Sequence, residues 1–226
     1  MDDRNRFILK PRFSNLAEYQ LQYKDILTYV TIRSYYNTQK KYAYPSYATI
    51  NSRSGLSTKF ISESVKRLEA AGFIDIWKVG KFHVRHYYRF DETMDRQKIP
   101  YDFLNSEDLT ATEKCMLLMI ADSGCTFFDY EQVIETVSKN SGLVKKTITH
   151  YIKTLILKGY LAEELFENPL DKTLTKYLKL TDKLKWSLSY TSSATSLKAT
   201  ELEPKSEIED IIKMATDMFR PRKIAI

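Results

Sequence analysis

One tract occurs twice in this chain. SGLSTKFISESVKRLEAAGFIDI at Ser54–Ile76 returns as SGLVKKTITHYIKTLILKGYLAE at Ser141–Glu163. Without a gap, Ser54/Ser141, Gly55/Gly142, Leu56/Leu143, Lys59/Lys146, Ile61/Ile148, Lys66/Lys153, Leu68/Leu155 and Gly72/Gly159 are identical. Thr49/Thr136 extends the match upstream. A generic helix does not keep a turn glycine, a closing glycine and a core triplet in one register, so the tract is a duplicated module. Gly55 supplies the positive φ of a sharp turn. Ser57 is the expected N-cap, and its hydroxyl can accept from a first-turn N–H. Ile61, Val65 and Leu68 share one helix face and look inward. Gly72 ends the helix, and an extended run follows.

A chain of 226 residues accommodates two such modules of roughly 80 residues each. Net charge is +6 and pI about 9.0, which favours polyanionic partners. Cys115 and Cys125 form no C-x-x-C, so a reduced, cytoplasmic setting is expected and a disulfide framework is not. No apolar run approaches roughly 18 residues, and the charged start MDDRNRFILK has no signal-peptide core, so no membrane association is expected.

In chain order, Met1–Ser14 reads as a mixed arm. Its Arg4, Arg6, Lys10 and Arg12 either touch phosphate or form a solvated tail. Leu16–Tyr36 has a helical pattern, with Ile26, Leu27, Val30 and Ser34 in one stripe. Pro45 and Ser46 open a short second helix, Tyr47–Arg53, with Ile50 facing in. The repeated tract then supplies the longer helix. Phe73–Val79 and Phe82–Phe90 read as a hairpin closed by Gly80-Lys81, and strand alternation puts Arg85 and Arg89 on one face. Residues 91–108 read as a linker. Thr110-x-x-Glu113 is a capping box leading an apolar helix to Ala121. Asp129–Lys139 and Val144–Lys158 are the short and long helices of the second module. Tyr160–Glu167 and Thr173–Thr181 form its hairpin, with a longer turn around Pro169 and Asp171. The Ser/Thr-rich segment 187–203 reads as a flexible linker. Ile208, Ile211, Ile212, Ala215 and Phe219 mark an amphipathic helix over 204–220, which either packs back on the body or docks on a partner.

Helix, short helix, turn, longer helix and hairpin, carried by PSYATINSRSGLSTKFISESVKRLEAAGFIDI, resembles the winged helix-turn-helix domains of plasmid and phage replication initiators and related regulators. The resemblance covers Pro45–Phe90 well and Leu109–Thr181 more loosely. It implies a mainly α fold with small β-hairpin wings (α+β). Two tandem winged helix-turn-helix domains, 15–90 and 109–186, would precede the tail helix. It also implies double-stranded DNA as partner, with the longer helix in the major groove and the hairpin wing on the flanking backbone. Ser57 and Thr58 are then placed for a phosphate, and Lys59, Ser62, Glu63, Lys66 and Arg67 for the groove. Lys78, Lys81 and Arg85 sit on or near the wing. Lys145, Lys146, Thr149, His150 and Lys153 take the matching places in the second module, inside a stretch from Val137 to Ala162 that has no acidic residue. Phe60 either stacks on a thymine methyl or packs under the first helix.

Signals for an enzyme are poor. There is no G-x-x-x-x-G-K-[ST]. His83 and His86 point to opposite faces of a strand, unlike the metal pair of rolling-circle nickases, and no Cys/His spacing fits zinc. No cofactor or metal is expected. The functions that remain are a replication initiator with a partner recruited by the tail helix, a transcriptional regulator on an operator, and an interaction adaptor with one module as a homodimer interface.

Overall fold

A computed structural model describes residues 7–80, 84–92, 96–122, 127–167, 172–184 and 186–191. The first repeat belongs to a run of α1 (Asp25–Arg33), α2 (Tyr47–Ser54), α3 (Thr58–Ala70), β2 (Ile74–Val79) and β3 (Arg85–Phe90), preceded by β1 (Phe7–Pro11). The second lies in α5 (Ala111–Ala121), β5 (Phe127–Asp129), α6 (Tyr130–Ser141), α7 (Lys145–Leu157), β6 (Leu161–Glu167) and β7 (Leu174–Leu180). Between them come β4 (Arg96–Pro100) and α4 (Asp102–Asn105), and β8 (Ser187–Thr191) follows. The fold is α+β, with seven helices among the described residues and small antiparallel hairpins.

The repeated sequence produces repeated hydrogen bonding. Ser54 Oγ donates to the Ile50 carbonyl at 2.7 Å and accepts from Leu56 N–H at 3.1 Å. Ser141 Oγ does the same with Val137 at 2.6 Å and Leu143 at 3.2 Å. Asn51 and Ser138 then each donate a side-chain bond of 2.7 Å to the leucine carbonyl past the turn. Gly55 and Gly142 sit at φ +73 and +71, where a side chain would be strained. The turn between short and long helix is therefore built by the same pattern of bonds in both halves, with Asn51 and Ser138 as equivalent donors.

The helix expected from Leu16 to Tyr36 is regular only from Asp25. Gln20 is left-handed at φ 55, Leu21 N–H reaches the Leu16 carbonyl and Gln20 N–H the Ala17 carbonyl. That pairing is a helix-terminating closure. Pro45 precedes the Ser46 N-cap rather than occupying the first turn. The second half gains a short strand, β5, that pairs with β7. Its counterpart in the first half is a lone bridge, Ala43 to Tyr88.

Every residue of α1 is buried, as are nine in α5, and the two helices pack on each other. Their apolar side chains belong to one core that also takes Ile61, Val65 and Leu68 from α3 and Ile148, Ile152 and Leu155 from α7. Cys115 faces this interior, and burial pushes its thiol up to about 12, so it is chemically quiet.

Three segments expected as connections assemble into one antiparallel sheet, β1-β4-β8. The arm supplies β1, the linker supplies β4, and the start of the Ser/Thr-rich segment supplies β8. Lys10, expected either on phosphate or in a solvated tail, is instead fully buried and pairs with Asp122, with a second bond of 3.0 Å to the Pro11 carbonyl. Gln97 on β4 donates to the Ala121 carbonyl at 2.7 Å. Both side chains thus serve the C-terminal end of α5, where unpaired carbonyls need donors and a positive charge is favoured. Arg4, Arg6 and the amphipathic helix over 204–220 lie outside the described residues.

Candidate nucleic-acid interface

Helix α3 divides into two faces. Ile61, Val65 and Leu68 are buried. Thr58, Lys59, Glu63 and Lys66 are exposed on the other side, with Ser62 half-buried beside them. Ser57 accepts a bond of 3.2 Å from Phe60 N–H, so its hydroxyl serves the helix end as a cap. Ser62 lies beside the Tyr47 side chain at the start of α2. Phe60 is half-buried against the core with the Arg67 guanidinium 5.2 Å over its ring, the packing option of the two.

Arg67 makes an ion pair across the helices. Its guanidinium is bound to Asp25 on α1, and the side chain is partly exposed. It sits one turn beyond Glu63, on the flank of α3 that meets α1, and a buried carboxylate claims it.

Helix α7 presents Lys145, Lys146, His150 and Lys153 at the surface, over buried Ile148, Ile152 and Leu155. Thr149 is half-buried, and its hydroxyl donates to the Lys145 carbonyl at 3.0 Å. Among the described residues none of Lys59, Lys66, Lys145, Lys146 and Lys153 forms an ion pair. Lys158, the last base of the acid-free stretch, is engaged with Glu113 and the Asp108 carbonyl. Val144 holds the N-cap position of α7 with no side-chain bond.

The two hairpins differ in charge. Lys78 and Arg85 are exposed on β2 and β3, and Lys81 lies outside the described residues. Burial, and then the neighbouring Lys78 charge, lower the His86 pKa, so this imidazole is neutral at physiological pH. On β6 and β7, Lys176 pairs with Glu163 and Lys179 with Glu164, and Lys172 pairs with Glu167 nearby. Mixed sign makes that hairpin a poor surface for phosphate.

The sequence reading overlooked Tyr47, which touches Ser62 and lies 5.0 Å from the His86 ring. Its position directly after the Ser46 cap was the available signal. It also overlooked the tyrosines beside the first hairpin, because aromatic residues usually fill cores.

No curated protein matches the chain. A family model described as a helix-turn-helix domain matches residues 19–74, from the turns before α1 through α2 and α3 to the first residue of β2. Residues 19–74 carry a helix-turn-helix domain, which implies DNA as its partner.

Proposed function

We propose that the chain binds duplex DNA sequence-specifically through two winged helix-turn-helix modules, residues 15–90 and 109–186, as a replication initiator of the plasmid or phage type. The observation that carries this reading is the pair of lysine rows on α3 and α7. Each stands behind the same hydrogen-bonded Ser-Gly-Leu turn, and neither is ion-paired among the described residues. A helix that follows such a turn can lie in the major groove, where Lys59, Lys66, Lys145, Lys146 and Lys153 meet phosphates and guanine edges. Glu63 can accept from cytosine N4, which adds discrimination to charge. Lys78 and Arg85 then reach the flanking backbone. The amphipathic pattern over 204–220 supports recruitment of a replication protein. This is a binding function rather than an enzymatic one.

The charge-balanced second hairpin favours a narrower variant, in which α7 reaches DNA without its wing. The test is selection of bound duplexes from a random pool by the full chain, followed by mapping of the selected site. Repeated copies in an origin support the initiator. A site overlapping a promoter replaces it with a transcriptional regulator. Failure to enrich any duplex removes sequence-specific binding and leaves the adaptor.

A further inference from the structure

The first hairpin has an outer aromatic face that the duplex-binding reading uses only at Arg85. Strands β2 and β3 pair with Trp77 opposite Tyr87, and the 42–44 segment joins them through Ala43 and Tyr88, which exchange bonds of 2.9 and 2.8 Å. Strand alternation sends Tyr88, Phe90 and Ala43 into the core and Tyr87, Trp77, Tyr42 and Tyr44 outward. The outward rings form a contiguous surface. Trp77 and Tyr87 are stacked at 5.4 Å and 15°. Tyr42 stands edge-on to both, and Tyr44 lies 6.1 Å from Tyr87. Tyr44 is 51% exposed, and the Arg89 guanidinium lies 5.3 Å from the Trp77 ring centre. Arg85 and Arg89 are exposed on the same strand face as Tyr87, Lys40 and Lys41 are exposed just before Tyr42, and Asp75 faces Arg89 across the hairpin.

Stacked rings within a cationic border are the two elements that hold single strands. Every base offers a π-face, and the backbone offers phosphate. A duplex cannot use the rings, because its bases are already stacked on each other. Tyr44 and Arg85 also line a cavity of about 810 Å³ together with Tyr35, Tyr36, Tyr47 and His86. Among the described residues no carboxylate lines it, and its volume lies within the range that admits a nucleotide-sized ligand. We propose that this face and the adjoining cavity bind unpaired nucleotides of single-stranded DNA, with Trp77, Tyr87 and Tyr44 as the stacking platform and one base turned into the cavity. The site uses neither α3 nor α7 and shares only Arg85 with the duplex reading, so substitutions at Tyr44 and Arg89 test it separately from duplex recognition.

The experiment measures anisotropy of a labelled oligo(dT) of roughly 16 nucleotides with the full chain. Tyr44→Ala combined with Arg89→Ala should weaken oligo(dT) binding about ten-fold or more and leave the affinity for the selected duplex unchanged. A second readout needs no change to the platform. The chain has two tryptophans, so in a Trp186→Phe chain the emission comes from Trp77, and oligo(dT) should quench it. Absence of quenching, or an oligo(dT) affinity untouched by the double substitution, overturns the proposal. So does tighter binding of oligo(rU) than oligo(dT). A dimer that the double substitution dissociates, with oligo(dT) binding intact, would make the face a contact between copies and overturn it as well.

Discussion

Arg67 on α3 holds Asp25 at the head of α1 through two bonds of 2.8 Å, from Nε to Oδ2 and from Nη2 to Oδ1. Asp25 has no exposed surface, and its Oδ2 also accepts from Gln22 N–H at 2.8 Å. The bond to Asp25 raises the Arg67 pKa further, so the guanidinium is charged at any physiological pH. Removing one partner of such a pair leaves a buried charge uncompensated. Arg67→Ala should therefore cost about 3 kcal/mol in urea unfolding. In the folded variant, the salt dependence of duplex binding should match the parent. A shallower salt slope would return Arg67 to the DNA contacts.

The second half ties its first helix to its third with different residues. Lys158 Nζ lies 2.8 Å from both Glu113 oxygens, and Thr110 donates to Oε2 from N–H at 2.7 Å and from its hydroxyl at 2.8 Å. Burial by itself would raise the Glu113 pKa. The bonds from Lys158 and Thr110 outweigh it and hold the carboxyl below its ordinary value. A carboxyl lowered on folding stabilises fully above its unfolded pKa, and that contribution is lost as pH falls through the folded one. Glu113→Gln should cost about 2 kcal/mol at neutral pH and progressively less as the pH falls through the lowered Glu113 pKa. Chemical denaturation across that range checks it. An equal cost at both ends would assign the loss to packing.

Caps distinguish the two repeats most sharply. Ser57 and Val144 hold the same place, both with extended backbone, but only Ser57 bonds a first-turn N–H. Val144 is also 67% exposed, so nothing packs tightly on its side chain. Val144→Ser should stabilise the protein by about 1 kcal/mol, and Ser57→Ala should destabilise it by a similar amount. The corresponding shifts in melting temperature are about 2–4 °C in opposite directions. If Val144→Ser lowers the melting temperature, the start of α7 is held by something other than its own N–H groups.

The helices and hairpins of the two repeats were legible because their signals are local. The Thr110–Glu113 box sits in one turn, and Gly55 and Gly142 mark positions where only a left-handed residue closes the chain. The sheet β1-β4-β8 was not legible. Its strands are five residues each, they pair Phe7 with Pro100 and Arg96 with Thr191, and their inward positions include Lys10 and Gln97. Polar residues facing in erase the alternation that marks a strand. They make sense only once the end of α5 lies above them, requiring donors. The Arg67 ion pair was not legible for a related reason. Helical spacing separates inward from outward positions but does not say which flank meets Asp25, a partner distant in sequence.

The lysine rows give the decisive comparison, because both are exposed and neither is ion-paired among the described residues. Each phosphate contact releases counterions and adds roughly 0.9 to the slope of log K against log salt. Lys59→Ala with Lys66→Ala should therefore lower the slope by about two if both touch the backbone, and Lys145→Ala with Lys146→Ala should do the same if α7 also lies on DNA. Folding should change little, since all four side chains are exposed and away from the core. Fluorescence titrations of the selected duplex at several salt concentrations separate the cases. A drop in both variants means two reading helices. A drop confined to the α3 variant means that α7 faces protein, as its charge-balanced hairpin would permit. No drop in either removes these helices from the interface, since general attraction to a basic protein would not single out the rows that follow the Ser-Gly-Leu turns.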